Sequence, residues 1–167
     1  HDEHVEVVET VVEAVDDVPV IAGSGSNSTH EAVDLSRRAA GAGADALLLI
    51  SPYYNKPEQA GLAEHYRAVA DAVDLPQIVY NVPSRTGQNI QPETVTDLAS
   101  DENIRAYKAA SGDIAQIATV IEHTRDEDFA VLSGDDALTL SVCSLGGRGV
   151  ISVAGNVEPE RTVELVD

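Results

Sequence analysis

Ala46-Leu47-Leu48-Leu49-Ile50-Ser51-Pro52-Tyr53-Tyr54-Asn55-Lys56-Pro57 holds the pattern that decides the fold. The apolar run is too short for a helix and has no polar interruption. Such a run reads as a strand covered on both faces, which is how strands of a parallel sheet are placed. The polar segment that follows at once marks the strand's carboxyl end. The same grammar recurs outward in both directions. Apolar runs at 19–23, 77–80, 104–109, 129–133 and 149–153 read as strands. Between and around them, 5–15, 29–42, 58–73, 92–100, 113–124 and 136–145 read as helices. Val5, Val8, Val12 and Val15 make one face of the first helix. Ser28 and Glu31 have capping-box spacing, and Pro92 opens a helix at its first turn.

Strands alternating with helices are βαβ units in series, an α/β fold. The strand starts at 46, 77, 104 and 129 are one βα unit apart, on the scale of a (β/α)8 barrel of about 250 residues. The expected architecture is therefore a single domain over 1–167 forming a partial (β/α)8 TIM barrel with about six of eight strands.

The chain has 29 acidic and 10 basic residues, a net charge of −19, and only two lysines, Lys56 and Lys108. Phosphate neutralisation needs clustered Lys and Arg, so nucleic acid and anionic membrane are excluded as partners. Dispersed acids and scarce lysine resemble the surface style of extreme halophiles. No apolar run approaches the ~18 residues of a membrane span. One cysteine, Cys143, allows no intrachain disulfide and fits a reducing cytosol. Cys143 reads as core, and His30, His65 and His123 as surface helix positions. Gly23-x-Gly25 follows a strand, but the third glycine of a dinucleotide fingerprint would fall on Ser28, which excludes NAD. His1 and His4 lack further ligands at recognisable spacing, so no metal is expected.

Polar residues gather where strands end, and in a parallel barrel those ends form one rim, where active sites are built. Lys108 lies late in the apolar stretch Ile104-Arg105-Ala106-Tyr107-Lys108-Ala109-Ala110. A lysine there is costly unless paired or neutral, and a neutral, desolvated amine is what a Schiff-base nucleophile must be. The plain alternative is a lysine that snorkels to the rim and pairs with an acid. Tyr80 could relay protons beside it or be a half-buried strand aromatic. Arg85, in the turn before Gly87, is either solvent-facing or a planar fork for a substrate carboxylate.

Pro52-Tyr53-Tyr54-Asn55-Lys56-Pro57, Tyr80-Asn81-Val82-Pro83-Ser84-Arg85-Thr86-Gly87, Leu132-Ser133-Gly134-Asp135-Asp136 and Gly149-Val150-Ile151-Ser152-Val153 together resemble the dihydrodipicolinate synthase family of pyruvate-dependent class I aldolases. The resemblance covers essentially the whole chain. It implies Schiff-base condensation of pyruvate with aspartate 4-semialdehyde in lysine and diaminopimelate biosynthesis, in a cytoplasmic homotetramer that needs no cofactor. By that resemblance Lys108 is the nucleophile and Tyr80 the relay tyrosine, with Tyr54 the second relay tyrosine, given across a subunit interface. Arg85 holds the semialdehyde carboxylate, while Gly134 and Ile151 flank pyruvate. His1, His4, Asn27, Glu31 and Tyr53 match a feedback site for L-lysine; the alternative for Glu31 is completion of the capping box alone. Two departures stand out. Ala109 occupies a position where the family usually has Glu, and the family's Gly-Thr-Thr-Gly-Glu segment would precede His1. The resemblance thus implies that the six strands are the third to the eighth of the family's barrel, with its first two strands and C-terminal helical region not in the sequence. The 167 residues alone are therefore expected to lack turnover. Related aldolases of sialic acid or 2-keto-3-deoxy sugars share the lysine and tyrosine, and a non-catalytic truncated module is the remaining reading.

Overall fold

A computed structural model describes residues 2–167 as one six-stranded, all-parallel sheet whose strand order follows the sequence. The strands are β1 (Ile21–Gly23), β2 (Ala46–Ile50), β3 (Gln77–Asn81), β4 (Ile104–Ala109), β5 (Ala130–Ser133) and β6 (Gly149–Val150). The helices are α1 (Asp2–Ala14), α2 (Thr29–Gly41), α3 (Gln59–Ala70), α4 (Pro83–Thr86), α5 (Pro92–Ala99), α6 (Ile114–His123), α7 (Thr139–Ser144) and α8 (Pro159–Val166). The sheet curls into a half-barrel with its helices on the outside, so the expected partial barrel is what forms.

The pleat sorts each strand into two faces. Leu47, Leu49, Val79, Tyr107, Ala109 and Val131 point outward and are buried beneath the helices, where most of the core lies. Leu48, Ile50, Tyr80, Lys108 and Leu132 point inward and are only half-buried. The inner face is apolar enough to need cover on both sides, but the open sheet covers only one. On α1, Val8 is buried and Val5 and Val12 are half-buried, as the period required, while Val7 and Val11 face out; Val15, just past the end of α1, is half-buried too. Gly25 lies so close over β2 that a Cβ there would come within 2.5 Å of the Ile50 nitrogen. That close approach is the use of the Gly23-x-Gly25 run. No Asp, Glu, Lys or Arg falls in the buried class among the described residues, so the negative charge is carried on the surface. No helix is long and apolar enough to cross a membrane.

The structure corrects several expectations. Residues 149–153 pair as a strand only over Gly149–Val150, because the Asp136 carboxylate accepts the Val153 and Ala154 N–H groups that would have continued the ladder. The expected helix 136–145 splits into a 3₁₀ turn (Asp136–Leu138) and α7. Cys143 is half-buried; Val142 beside it fills the core. Half of the capping box forms: Ser28 Oγ accepts the Glu31 N–H, but the Glu31 carboxylate accepts from the Ser26 hydroxyl at 2.9 Å instead of reaching back to residue 28.

His65 is the largest correction. It is 4 % exposed, between α3 and the start of α2, with Nδ1 2.9 Å from the Thr29 hydroxyl and Nε2 without a partner. Burial lowers its pKa to about 4. The unfolded side chain takes a proton near 6.5, so this neutral histidine's contribution is whole above that pH and is lost as pH falls towards 4. The shift amounts to roughly 3 kcal/mol. Urea midpoints measured between pH 7 and 4 should fall less steeply for His65→Gln than for the parent chain; parallel slopes would refute the assignment.

Candidate active site

Residues 80, 108 and 132 share one row across the inner face, since Tyr80 pairs in register with Lys108 and Lys108 with Leu132. The same parity that aims Tyr107 at the helices therefore aims Lys108 into the half-barrel beside Tyr80. The Lys108 Nζ stands 4.1 Å from the Tyr80 ring centroid. One strand over, Gly134 receives the amine's stem: a Cβ at 134 would come within 3.0 Å of Lys108 Cε and 2.9 Å of Ala110 Cβ. Its N–H donates to the Ala109 carbonyl at 2.7 Å, which locks the β5 rim onto β4. Space, not backbone freedom, demands glycine here.

Burial lowers the Lys108 pKa below that of an ordinary lysine, and the negative charge of Asp136 opposes the shift. No carboxylate forms an ion pair with Lys108 among the described residues, so the snorkelling alternative lacks its partner. The site thus shifts the amine towards its neutral, nucleophilic form.

The other rim residues fall into two groups. Ile151, directly after β6, donates its N–H to Ser133 O at 2.9 Å, so its backbone lies on the same rim as Gly134. Arg85 rides on the one-turn helix α4, is exposed, and has no paired carboxylate among the described residues. Gly87 closes α4 in the left-handed conformation with its N–H on Pro83 O. A Cβ there would come within 2.8 Å of Lys56 Cε, so the chain's other lysine packs over this turn. Tyr54 is not brought to Lys108. It is 88 % exposed on a loop where Tyr54 and Lys56 both have positive φ, 69° and 48°. That loop is tied to the segment between β1 and α2 by Asn55, whose Nδ2 donates to Asn27 O at 2.7 Å, and by Asn27 Nδ2 donating to Asn55 Oδ1. Tyr53 beside it is exposed; His4 Nε2 lies 2.7 Å from Gly23 O on the same side. His1 lies outside the described residues.

Two residues in the quoted motifs have roles that spacing did not disclose. Asn81 is fully buried; its Nδ2 donates to Asn89 Oδ1 and Tyr107 Oη, both at 2.8 Å, and its Oδ1 accepts the Ile90 N–H. It thereby fixes the turn after α4. Asp136 is the other, with three donors on its carboxylate. A strand-end Asn or Asp was the only available signal, and such residues are common in loops.

The fold and rim define a parallel (β/α) half-barrel with a half-buried lysine stacked on a tyrosine at its inner face. The chain belongs to the dihydrodipicolinate synthetase family, whose pattern matches residues 1–167. It is 74% identical over 166 residues to the 4-hydroxy-tetrahydrodipicolinate synthase of Haloarcula marismortui, covering 99% of this chain and 54% of that protein. The chloride-inhibited dihydrodipicolinate synthase of Acinetobacter baumannii, solved with pyruvate, superposes with a TM-score of 0.95 at 43% identity, over 99% of this chain and 57% of that one. The enzyme of Cyanidioschyzon merolae, solved with lysine bound, gives 0.88 at 43% identity, over 98% and 61%. The chain therefore spans little more than half the length of these relatives.

Gly134→Ala should cost about 1–3 kcal/mol of stability, the usual range for overpacking a filled site. An unchanged urea midpoint would show that the Lys108 stem does not need the space.

Proposed function

We propose that these residues form the nucleophile-bearing part of a 4-hydroxy-tetrahydrodipicolinate synthase, condensing pyruvate with aspartate 4-semialdehyde for lysine and diaminopimelate biosynthesis. The observation that carries this reading is the half-buried Lys108 amine over Tyr80, in a space that Gly134 leaves open. The Lys108 amine attacks the pyruvate ketone, and loss of water from the carbinolamine gives the Schiff base. Removal of a methyl proton gives the enamine, whose carbon bonds to the aldehyde carbon of the semialdehyde. The semialdehyde's amine then displaces Lys108 as the ring closes. Tyr80 moves protons at the carbinolamine. The Gly134 and Ile151 backbones flank pyruvate, and the Arg85 fork holds the semialdehyde carboxylate. The mechanism requires neither a metal nor an organic cofactor, because the Schiff base itself withdraws the electrons.

Tyr54, exposed and out of reach of its own Lys108, serves as the second relay tyrosine in a neighbouring copy, within a homotetramer. L-Lysine binds as a feedback inhibitor near His1, His4, Asn27, Glu31 and Tyr53. The lysine-bound relative supports that reading, as does the link between the Asn27 and Tyr54 loops. The single cysteine suits a cytoplasmic enzyme, and the acidic surface resembles that of halophilic proteins.

Setting these 167 residues in place of the matching segment of the Haloarcula marismortui relative gives a full-length protein for testing. Borohydride reduction with pyruvate should leave a pyruvate-sized adduct on Lys108 and none in Lys108→Ala. Tyr80→Phe should lower turnover about 10²-fold or more. Absence of the adduct would remove the aldolase reading, and cleavage of a 2-keto-3-deoxy sugar without activity on the semialdehyde would change the substrate. The 167 residues by themselves, with the inner face of the sheet open to water, should show no condensation; measurable product would contradict this.

A further inference from the structure

Asp136 has a geometry that its place in the rim motif does not explain. One carboxylate oxygen accepts the Ser152 hydroxyl. The other accepts the N–H groups of Val153 at 3.2 Å and Ala154 at 3.0 Å. Ser152 Oγ in turn accepts the Gly155 N–H at 2.7 Å, so the carboxylate fastens the whole turn after Ile151. β6 is only two residues long, and beyond it the Ile151 N–H on Ser133 O is the last ladder-like bond. Asp136 takes over where the ladder stops. It is also two residues beyond Gly134, on the segment that makes room for the Lys108 stem.

A carboxylate held by three donors is fixed in place and stays ionised, and its pKa is lowered, first by the Ser152 hydroxyl and then by the backbone N–H of Ala154. Its charge acts on Lys108. Other titratable groups around β4 are placed differently. Tyr80 on β3 lies under the amine, while Tyr107 on β4 points to the helix side and bonds Asn81. Arg105, at the opposite end of β4, pairs with Asp128. On α5, Asp97 is on the outer surface with Arg67 and Glu93 is exposed. Asp135 faces solvent and caps the 3₁₀ turn through the Ala137 N–H.

We propose that Asp136 is a positioning residue that clamps the β6 rim to the β5 rim, holding Ile151 and Gly134 in fixed relation to the nucleophile. It touches neither substrate nor reacting atoms; it acts through Ser152 and the backbone. The proposal rests on the pyruvate Schiff-base reading above.

The full-length protein just described carries the test, read as the rate of borohydride-trapped pyruvate adduct on Lys108 against pyruvate concentration. Asp136→Asn weakens the clamp, so half-saturation by pyruvate should rise about tenfold, the effect of one lost charge-assisted bond, while the rate at saturating pyruvate stays within about twofold. Ser152→Ala loosens the clamp by one neutral bond, so half-saturation should rise about threefold with the same unmoved saturating rate. An Asp136→Asn protein with unchanged half-saturation would overturn the proposal, as would a loss confined to the saturating rate. Should Asp136→Asn fail to fold, an unaltered half-saturation in Ser152→Ala overturns the clamp by itself. Failure of the parent reading looks different: the unsubstituted protein then forms no adduct at all.

Discussion

The alternation of side chains along β4, locked into register with β3, is the constraint on which the site depends. Tyr107 and Ala109 are buried under the helices, and that burial forbids a one-residue slip, because a slip would turn Lys108 into the helix layer and Tyr107 out of it. Tyr107 is held further by the bond from Asn81 on the neighbouring strand. With the outer face fixed in this way, Tyr80 and Lys108 have no choice but to stand side by side on the inner face. The pair is positioned by residues on the opposite face of the sheet.

The same alternation explains what the sequence discloses and what it hides. β4 was legible to the residue and β2 likewise, because each is a closed apolar run bounded by polar or turn residues. Lys108 was legible because a lysine inside such a run contradicts its surroundings. The ends of elements were legible only where no side chain competes for the backbone. Asp136 captures two N–H groups beyond β6 and shortens that strand, and nothing in apolar periodicity registers a carboxylate reaching across from another segment. His65 fails for a related reason. Whether a polar residue on α3 faces water or α2 depends on how the two helices cross, which is a property of tertiary packing. The loop before α2 brings Ser26 to Glu31. Local spacing supplied a capping box; the fold gave Glu31 a different partner.

A net charge of −19 is at odds with the proposed task of holding a desolvated amine and binding carboxylates. The placement resolves this. The acids are on the surface, where water and salt screen them. The lone pairs of Asp136, two residues beyond Gly134, are already committed to Ser152, Val153 and Ala154. Arg85 and Lys56 meanwhile stand near α4 without carboxylate partners among the described residues. The rim is thus locally less acidic than the molecule that carries it, a contrast that fits the anionic substrates of the proposed function.

The loop after β2 carries the remaining argument. Tyr54 and Lys56 adopt left-handed backbone conformations without being glycine, at about 1–2 kcal/mol each. Strain of this kind persists only where surrounding contacts over-determine it. Those contacts are here: Asn55 bonds Asn27 in the loop before α2, and Lys56 packs over Gly87. What the strain achieves is to project the Tyr54 ring outward, with no contact to the lysine of its own chain. A loop shaped to serve its own site would fold the phenol down over the rim. Under the proposed mechanism, a loop held outward in this way serves the site of a second copy.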